Sequence, residues 1–450
     1  MGTALLTDRY ELTMLQAALA DGTADRHCVF EVFTRRLPSW RRYGVLAGTG
    51  RVLELLADFR FDAAELEWLS QERVVDDATV EFLDGYRFTG DIRGYAEGEA
   101  FFPSSPVMVV EGTFAEAVLL ETLILSVLNY DSAVASAASR MTSAAVGRPC
   151  LEMGSRRAHE QAAVAAARAA AVAGFAGTSN LEAGRRYGLA TIGTAAHAFT
   201  LLHDDEEQAF AAQVASAGPG TTLLVDTYDV TRGVERAVKV AGTGLGAVRL
   251  DSGDLGVLAQ EVRGQLDALG ATSTKITVTS DLDEYAIASL AASPVDSYGV
   301  GTKLVTGSGA PTCGMVYKLV AREGASGNLE PVAKASTSKT SVGGSKRAAR
   351  LLDESGRALA EVVLNGSGTP AGDLTGIDPA DIDPRGVSLR PLHTSLVTGG
   401  VVDARWTGAA GVRTAADRHA ASREELPRGA RRLSTGDVAI PTLIRDLDGA

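Results

Sequence analysis

Cysteine is nearly missing from this chain, with three residues (Cys28, Cys150 and Cys313) in 450 positions. They lie far apart, without Cys-x-x-Cys or His-Cys spacing, which argues against a zinc framework and a disulfide scaffold. Each reads as a small buried residue in a reducing compartment. Histidine is scarce too, at six residues. There is no Walker A loop and no Gly-x-Gly-x-x-Gly fingerprint, which disfavours a P-loop ATPase and a dinucleotide-binding oxidoreductase. Positive charge is in deficit, and the formal net charge of −13 makes a nucleic-acid surface an unlikely first reading. No apolar run is long and unbroken enough to span a bilayer, and the first ten residues lack the basic start and apolar core of a secretory signal. A cytoplasmic protein, in contact with neither membrane nor nucleic acid, is the expectation.

What is present is ordinary globular material, 45% hydrophobic and 22% charged, in a chain long enough for two or three structural units. The spacing predicts a helix over 7–20. Asp8 stands at its cap with Glu11 three positions on, a capping-box pattern, and Leu12, Leu15 and Leu19 form one apolar stripe. Tyr10 falls in the first turn, where its ring either projects into a site or covers the helix end. A strand over 28–36 stops at Arg35-Arg36-Leu37-Pro38. Helices follow at 49–58, 62–70 and 76–84, then strands Ile92–Tyr95 and Val107–Val110, then a long apolar helix over 115–138. Strands followed by helices without alternation predict an α+β open sandwich over residues 1–140.

From Cys150 short apolar segments alternate with helices. The expected strands are 150–153, 175–178, 189–192, 221–225, 247–250, 275–278 and 297–300, with 316–320 as a further candidate. The helices between them include 159–173, 205–217 and 256–269. Seven or eight βα steps predict a parallel sheet, so the fold class is α/β: an irregular barrel over 141–325, with an open doubly wound sheet as the structural alternative. Residues 326–450, with strand-like pieces at 361–364 and 395–402 and a helix near 414–426, are expected to pack back on the N-terminal domain.

The polar residues then fall at strand ends. Arg156 and Arg157 follow the first strand, Ser179 and Asn180 the second, His197 the third, and Asp226 and Tyr228 the fourth. Arg249, Asp251 and Asp254 surround the end of the fifth, Ser280 and Asp281 end the sixth, and Gly299-Val300-Gly301-Thr302 ends the seventh. In a parallel barrel all of them point to one mouth. The glycine turn at Gly301-Thr302 offers bare amides and a hydroxyl to a phosphate, or only lets the chain reverse. The arginines suit bidentate contact with phosphate or carboxylate, against a solvated surface as the other reading. Asp251-Ser252-Gly253-Asp254 can hold sugar hydroxyls or hydrated Mg²⁺, while Asp254 can equally be the N-cap of the next helix. Together these point to a phosphorylated sugar substrate.

The combination of Thr7-Asp8-Arg9-Tyr10-Glu11-Leu12-Thr13-Met14, Phe30-Glu31-Val32-Phe33, Met153-Gly154-Ser155-Arg156-Arg157, Gly177-Thr178-Ser179-Asn180, Gly193-Thr194-Ala195-Ala196-His197, Arg249-Leu250-Asp251-Ser252-Gly253-Asp254 and Gly301-Thr302 resembles the nicotinate phosphoribosyltransferase family. The motifs run in family order from residue 7 to about residue 320. The resemblance implies a type II phosphoribosyltransferase fold. It also implies condensation of nicotinate with phosphoribosyl pyrophosphate in NAD salvage, with Mg²⁺ accompanying the pyrophosphate and ATP as co-substrate. By this likeness His197 is the transient phosphohistidine, Tyr10, Thr194 and Arg249 meet nicotinate, Thr302 meets phosphoribosyl pyrophosphate, and the enzyme is a homodimer with shared active sites. The residue reading adds Arg249 and Asp251 to His197 as catalytic groups. It gives the phosphate side Arg156, Arg157, Ser179, Asn180, Asp251, Asp254 and Gly301 beside Thr302, with no direct protein ligand set for a metal. Nicotinamide-using relatives carry an acidic residue after the Gly-Thr of the pyridine site, whereas Ala195 stands here and Arg249 favours a carboxylate. The quinolinate-using enzymes are shorter chains that need more basic residues, and intact His197, Arg249, Asp251 and Thr302 speak against a non-catalytic relative. After the barrel, Lys334, Lys339 and Lys346 remain around Val342-Gly343-Gly344-Ser345, where the family often has Pro-Gly. A lid over the phosphates or a disordered stretch is expected at 336–345.

Overall fold

A computed structural model describes residues 3–334, 342–366 and 377–446. The chain forms two compact units, one of residues 1–136 with 310–450 and one of residues 137–309. Helix Glu121–Ala144 begins in the first unit and ends in the second.

The first unit is built on a seven-stranded sheet. Across it run Leu329–Pro331, Met315–Glu323, His27–Thr34, Met108–Thr113, Asp91–Tyr95, His393–Thr398 and Val401–Val402. Strand His27–Thr34 is buried along nearly its whole length, so it reads as a continuous apolar run and not as an alternation. Phe30 stacks on Tyr317 of the neighbouring strand with ring centroids 4.8 Å apart. Segment 316–320, a candidate barrel strand by sequence, is thus an antiparallel partner of His27–Thr34 in this unit. A strand reads the same in either sheet while its partner lies almost three hundred positions upstream. Helix Arg9–Asp21 packs Leu12 and Leu15 into the core. The expected capping box at its start does not form. Asp8 occupies the N-cap position without a side-chain bond, and Glu11 is turned inward, accepting from the Thr7 hydroxyl at 2.7 Å and the Thr122 amide at 3.0 Å. A second sheet of the same unit orders Ser388–Pro391, Lys346–Leu352, Ala358–Asn365 and Thr442–Asp446.

The second unit has six parallel strands, β1 (Cys150–Glu152), β2 (Gly177–Thr178), β3 (Thr222–Leu224), β4 (Ala247–Leu250), β5 (Lys275–Val278) and β6 (Ser297–Val300), in the order β2-β1-β6-β5-β4-β3. Helices Glu160–Val172, Glu206–Ala217, Val230–Ala241 and Leu255–Ala268 alternate with them. This is an irregular α/β half-barrel, as the short helices and strands of the sequence require. One expected strand is missing. Residues 189–192 contribute a single bridge, Thr191 to Thr178, because the adjoining β2 is itself only two residues long. Among the described residues no helix is long and apolar enough to cross a membrane.

The expected lid falls largely on residues 335–341, Lys339 among them, which lie outside the described set. Lys346 does not belong to such a loop. It opens a strand, and its ammonium sits 2.8 Å from the buried Glu31 carboxylate.

Candidate functional site

The carboxyl ends of the parallel strands gather two groups of polar side chains in the second unit. The first is centred on Arg249 at the end of β4. Its guanidinium donates to the Thr194 hydroxyl at 2.5 Å and lies 4.0 Å from the Asp251 carboxylate. The other Asp251 oxygen is 3.9 Å from His197 Nε2, while His197 Nδ1 is 3.1 Å from the Thr227 hydroxyl. Thr194, Arg249, Asp251 and His197 therefore form one chain of contacts, although 55 positions separate Thr194 from Arg249. Burial pulls the Arg249 guanidinium below its ordinary value; Asp251 and Asp226 draw it back up, and Arg156 adds to the depression. Arginine keeps its charge regardless. A half-buried cation facing a threonine hydroxyl is a natural receptor for a carboxylate.

Asp226 and Thr227, just past β3, complete this group. Asp226 Oδ2 accepts the Asp251 amide and the Ser252 hydroxyl, each at 2.8 Å, which fixes the turn after β4. Its Oδ1 is buried without a hydrogen-bond partner among the described residues. The Thr279 hydroxyl, at the end of β5, donates to Asp251. The next residue, Ser280, carries φ 129°, a strained backbone for a residue with a side chain, at the point where the chain leaves the strand.

The second group surrounds β1 and β2. Asn180 accepts the Ala183 amide through Oδ1, capping the following helix, and donates through Nδ2 to the Ser155 hydroxyl at 3.1 Å. Glu152, fully buried, accepts from the Gly154 amide and the Thr178 hydroxyl. Arg156 and Arg157 are exposed on the turn after β1. Gly301 follows β6, and a Cβ placed there would stand 3.3 Å from the Met153 carbonyl, so the turns after β1 and β6 touch. Thr302 is exposed at the start of a four-residue helix. Asp254 caps helix Leu255–Ala268, accepting from the amides of Gly256 and Val257 at 3.1 and 3.2 Å.

Tyr10 lies in the first unit. It lines a cavity of about 570 Å³ with Asp8, Glu121 and Asn129, and burial together with the Glu121 carboxylate pushes its hydroxyl upward in pKa. Sequence reasoning placed Asp226 at the mouth without a role, and it left out Thr227, Thr279 and Glu152. Asp226 shows the signal that marked the others, a polar residue directly past a strand. Thr227, next to it, shares that position, whereas Glu152 and Thr279 sit at or inside the ends of strands and their partners are set only by the turns of other strands.

Six parallel strands ending in cationic, hydroxylic and carboxylate turns, in a chain that also carries an open sandwich, make this the fold of the type II phosphoribosyltransferases. A nicotinate-nucleotide pyrophosphorylase from Pyrococcus furiosus shares it, with a TM-score of 0.74 over 94% of this chain and 95% of that one. Human nicotinic acid phosphoribosyltransferase superposes with a TM-score of 0.81 at 27% identity over 97% of both chains. Residues 5–129 match the nicotinate phosphoribosyltransferase N-terminal domain. A Mycobacterium tuberculosis nicotinate phosphoribosyltransferase is 55% identical over 97% of this chain and 94% of its own length, and the Bacillus subtilis enzyme of that name is 39% identical over 78% and 74%. The chain belongs to the nicotinate phosphoribosyltransferase family.

Proposed function

We propose that this protein condenses nicotinate with 5-phosphoribosyl 1-pyrophosphate, giving nicotinate mononucleotide and pyrophosphate for NAD salvage, with ATP hydrolysis coupled to the reaction. The observation that carries the reading is the Arg249–Thr194 pair. Its cation and hydroxyl suit the nicotinate carboxylate, and Ala195 beside it supplies no acid for an amide NH₂.

The pyridine nitrogen is already a nucleophile, so the reaction needs no general base. Displacement at the anomeric carbon leaves the protein to align the two substrates and to stabilise charge on the departing pyrophosphate. Arg156, Arg157, Ser179, Asn180, Asp254, Gly301 and Thr302 are the groups we assign to the phosphoribosyl side. A side-chain oxygen of Asn180 and one of Asp254 are already engaged as helix caps, which leaves Asn180 the second N–H of its side-chain amide and Asp254 its outer oxygen. The unpartnered Asp226 oxygen and the Asp251 carboxylate are hard donors of the kind that suits hydrated Mg²⁺ arriving with the substrate. When bound, Mg²⁺ supplies neutralising charge to the pyrophosphate.

His197 is the phosphoryl acceptor in this reading. Its imidazole takes the terminal phosphoryl group of ATP, the nitrogen–phosphorus bond forming as ADP leaves, and water later releases phosphate. The phosphohistidine adds negative charge beside Asp251 and Arg249 and reorganises them. A homodimer is supported by four apolar side chains of the second unit, Leu181, Leu201, Leu202 and Tyr228, each more than half exposed. Tyr10 of the partner subunit then stacks on the pyridine ring.

The test is direct. Purified protein is mixed with phosphoribosyl pyrophosphate and either nicotinate or nicotinamide, with and without ATP, and mononucleotide and ADP are quantified. Product from nicotinate, raised by ATP, is expected. No product from nicotinate under any condition refutes the assignment.

A further inference from the structure

The carboxylate of Glu152 stands out in the second unit because it is fully buried and, among the described residues, no lysine or arginine pairs with it. Burying a carboxylate without a cation is costly unless hydrogen bonds replace the lost water. Here one oxygen accepts the Gly154 amide and the other accepts the Thr178 hydroxyl. The Glu152 carbonyl accepts the Ser179 amide at 2.8 Å, and the Thr178 hydroxyl oxygen in turn accepts the Asn180 amide at 2.9 Å. Asn180 then reaches back to Ser155. The turn after β1 cannot relax away from this arrangement. A Cβ at Gly154 would fall 2.2 Å from Val305 and 3.0 Å from the Glu152 carboxylate, and the Met153 amide donates to the Val300 carbonyl at 2.8 Å.

We infer that Glu152 is a positioning residue for the phosphoribosyl side of the site, its carboxylate tying the turn that bears Arg156 and Arg157 to the turn that bears Ser179 and Asn180. This rests on the function proposed above. A glutamine of the same size removes the charge: with its Oε1 on the Gly154 amide, its NH₂ donates to the Thr178 oxygen that already accepts the Asn180 amide, so both charge-assisted ties become weaker neutral ones. On the nicotinate side the segment before Thr194 is held to Thr178 by backbone bonds, from the Thr178 amide to Ala190 and from the Ile192 amide to Thr178, which the substitution leaves in place.

Glu152→Gln is therefore expected to weaken binding of phosphoribosyl pyrophosphate by about tenfold, the scale on which charge-assisted hydrogen bonds exceed neutral ones. KM for nicotinate should stay within about twofold. Thr178→Val, which removes the donor to Glu152 and the acceptor of the Asn180 amide while keeping the volume, should act in the same direction, and the double variant should lose less than the sum of the two single losses because they share the Glu152–Thr178 link. Binding is read by calorimetry with phosphoribosyl pyrophosphate and separately by the KM of each substrate. An inactive wild-type protein would refute the proposed reaction while calorimetry still reads the role of Glu152. Should Glu152→Gln fail to fold, Thr178→Val carries the test alone. Unchanged phosphoribosyl pyrophosphate affinity in the soluble variants overturns the role, as does an equal loss for both substrates.

Discussion

Arg249 holds its position by contacts that a lysine cannot reproduce. One guanidinium arm meets the Thr194 hydroxyl while the other faces Asp251 at 4.0 Å. An ammonium at the end of a flexible stem offers charge without that fork. Arg249→Lys should raise KM for nicotinate by roughly tenfold to a hundredfold, the equivalent of about 1.5–3 kcal/mol for hydrogen bonds to a charged partner. KM for phosphoribosyl pyrophosphate should change far less, and steady-state kinetics with each substrate varied in turn checks the split. His197→Ala should abolish ATP coupling while leaving some ATP-independent transfer, read as ADP formed per mononucleotide; unchanged coupling would remove His197 from the mechanism. The placement of His197, Arg249 and Asp251 near one mouth was legible beforehand, since His197 and Asp251 follow a strand or a short apolar segment and Arg249 stands one residue from the end of its strand, whereas Thr194 entered through the family likeness. Which of them touch was not legible. Only the order β5-β4-β3 puts Asp226, Asp251 and Thr279 side by side.

At the scale of elements, local signals held where local physics decides. Helices expected at 62–70 and 76–84 appear as Ala63–Gln71 and Asp77–Asp84, each begun by an aspartate whose side chain accepts an amide of the first turn. At Asp8 and Glu11 the same pattern misled, because the half-buried Thr7 and Thr122 donors outcompete the helix end for the Glu11 carboxylate. Only the folded core brings Thr122 there. Asp254 belongs to the first kind. Its two amide bonds account for it as a cap, and Asp254→Ala should cost about 1 kcal/mol of stability in line with other N-cap losses. Asp254→Ser, which retains a capping oxygen, should recover most of that. Urea unfolding measures the cost, and the KM for phosphoribosyl pyrophosphate in the serine variant isolates any contact of the second carboxylate oxygen with substrate. A serine variant with wild-type stability and a raised KM would place that oxygen on the ligand.

At the scale of the whole chain, stability depends on buried charge that no local pattern announces. In the first unit Arg350 is fully buried, 3.0 Å from Glu361 and 3.6 Å from Glu99, and Arg390 and Arg418 reach Glu99 at 3.0 and 3.3 Å. Burial opposes ionisation of Glu99, but Arg350, Arg390 and Arg418 outweigh it and hold the carboxyl below its usual value. That contribution is present above the ordinary carboxylate pKa and is lost as pH falls through the lower folded value. Glu11 and Glu361, whose carboxyls burial pushes upward, act in the opposite sense. Two histidines titrate in a higher window. Burial lowers His393 to about 3, with Arg93 and Arg347 adding repulsion against the bond to the Pro106 carbonyl, and burial with Arg423 lowers His419 to about 3. Between the ordinary value of 6.5 and about 3 the unfolded chain binds protons that the folded chain refuses. Stability therefore falls as pH drops through this range, by up to about 1.4 kcal/mol per pH unit for each histidine. His393→Gln keeps an N–H able to meet Pro106 and removes one titration. Plotted as variant minus wild type, its urea-derived unfolding free energy should climb steadily from pH 6.5 to pH 4.5, because the carboxylate contributions are common to both proteins and cancel. A flat difference over that interval would mean that His393 takes up its proton in the folded protein as readily as in the unfolded one.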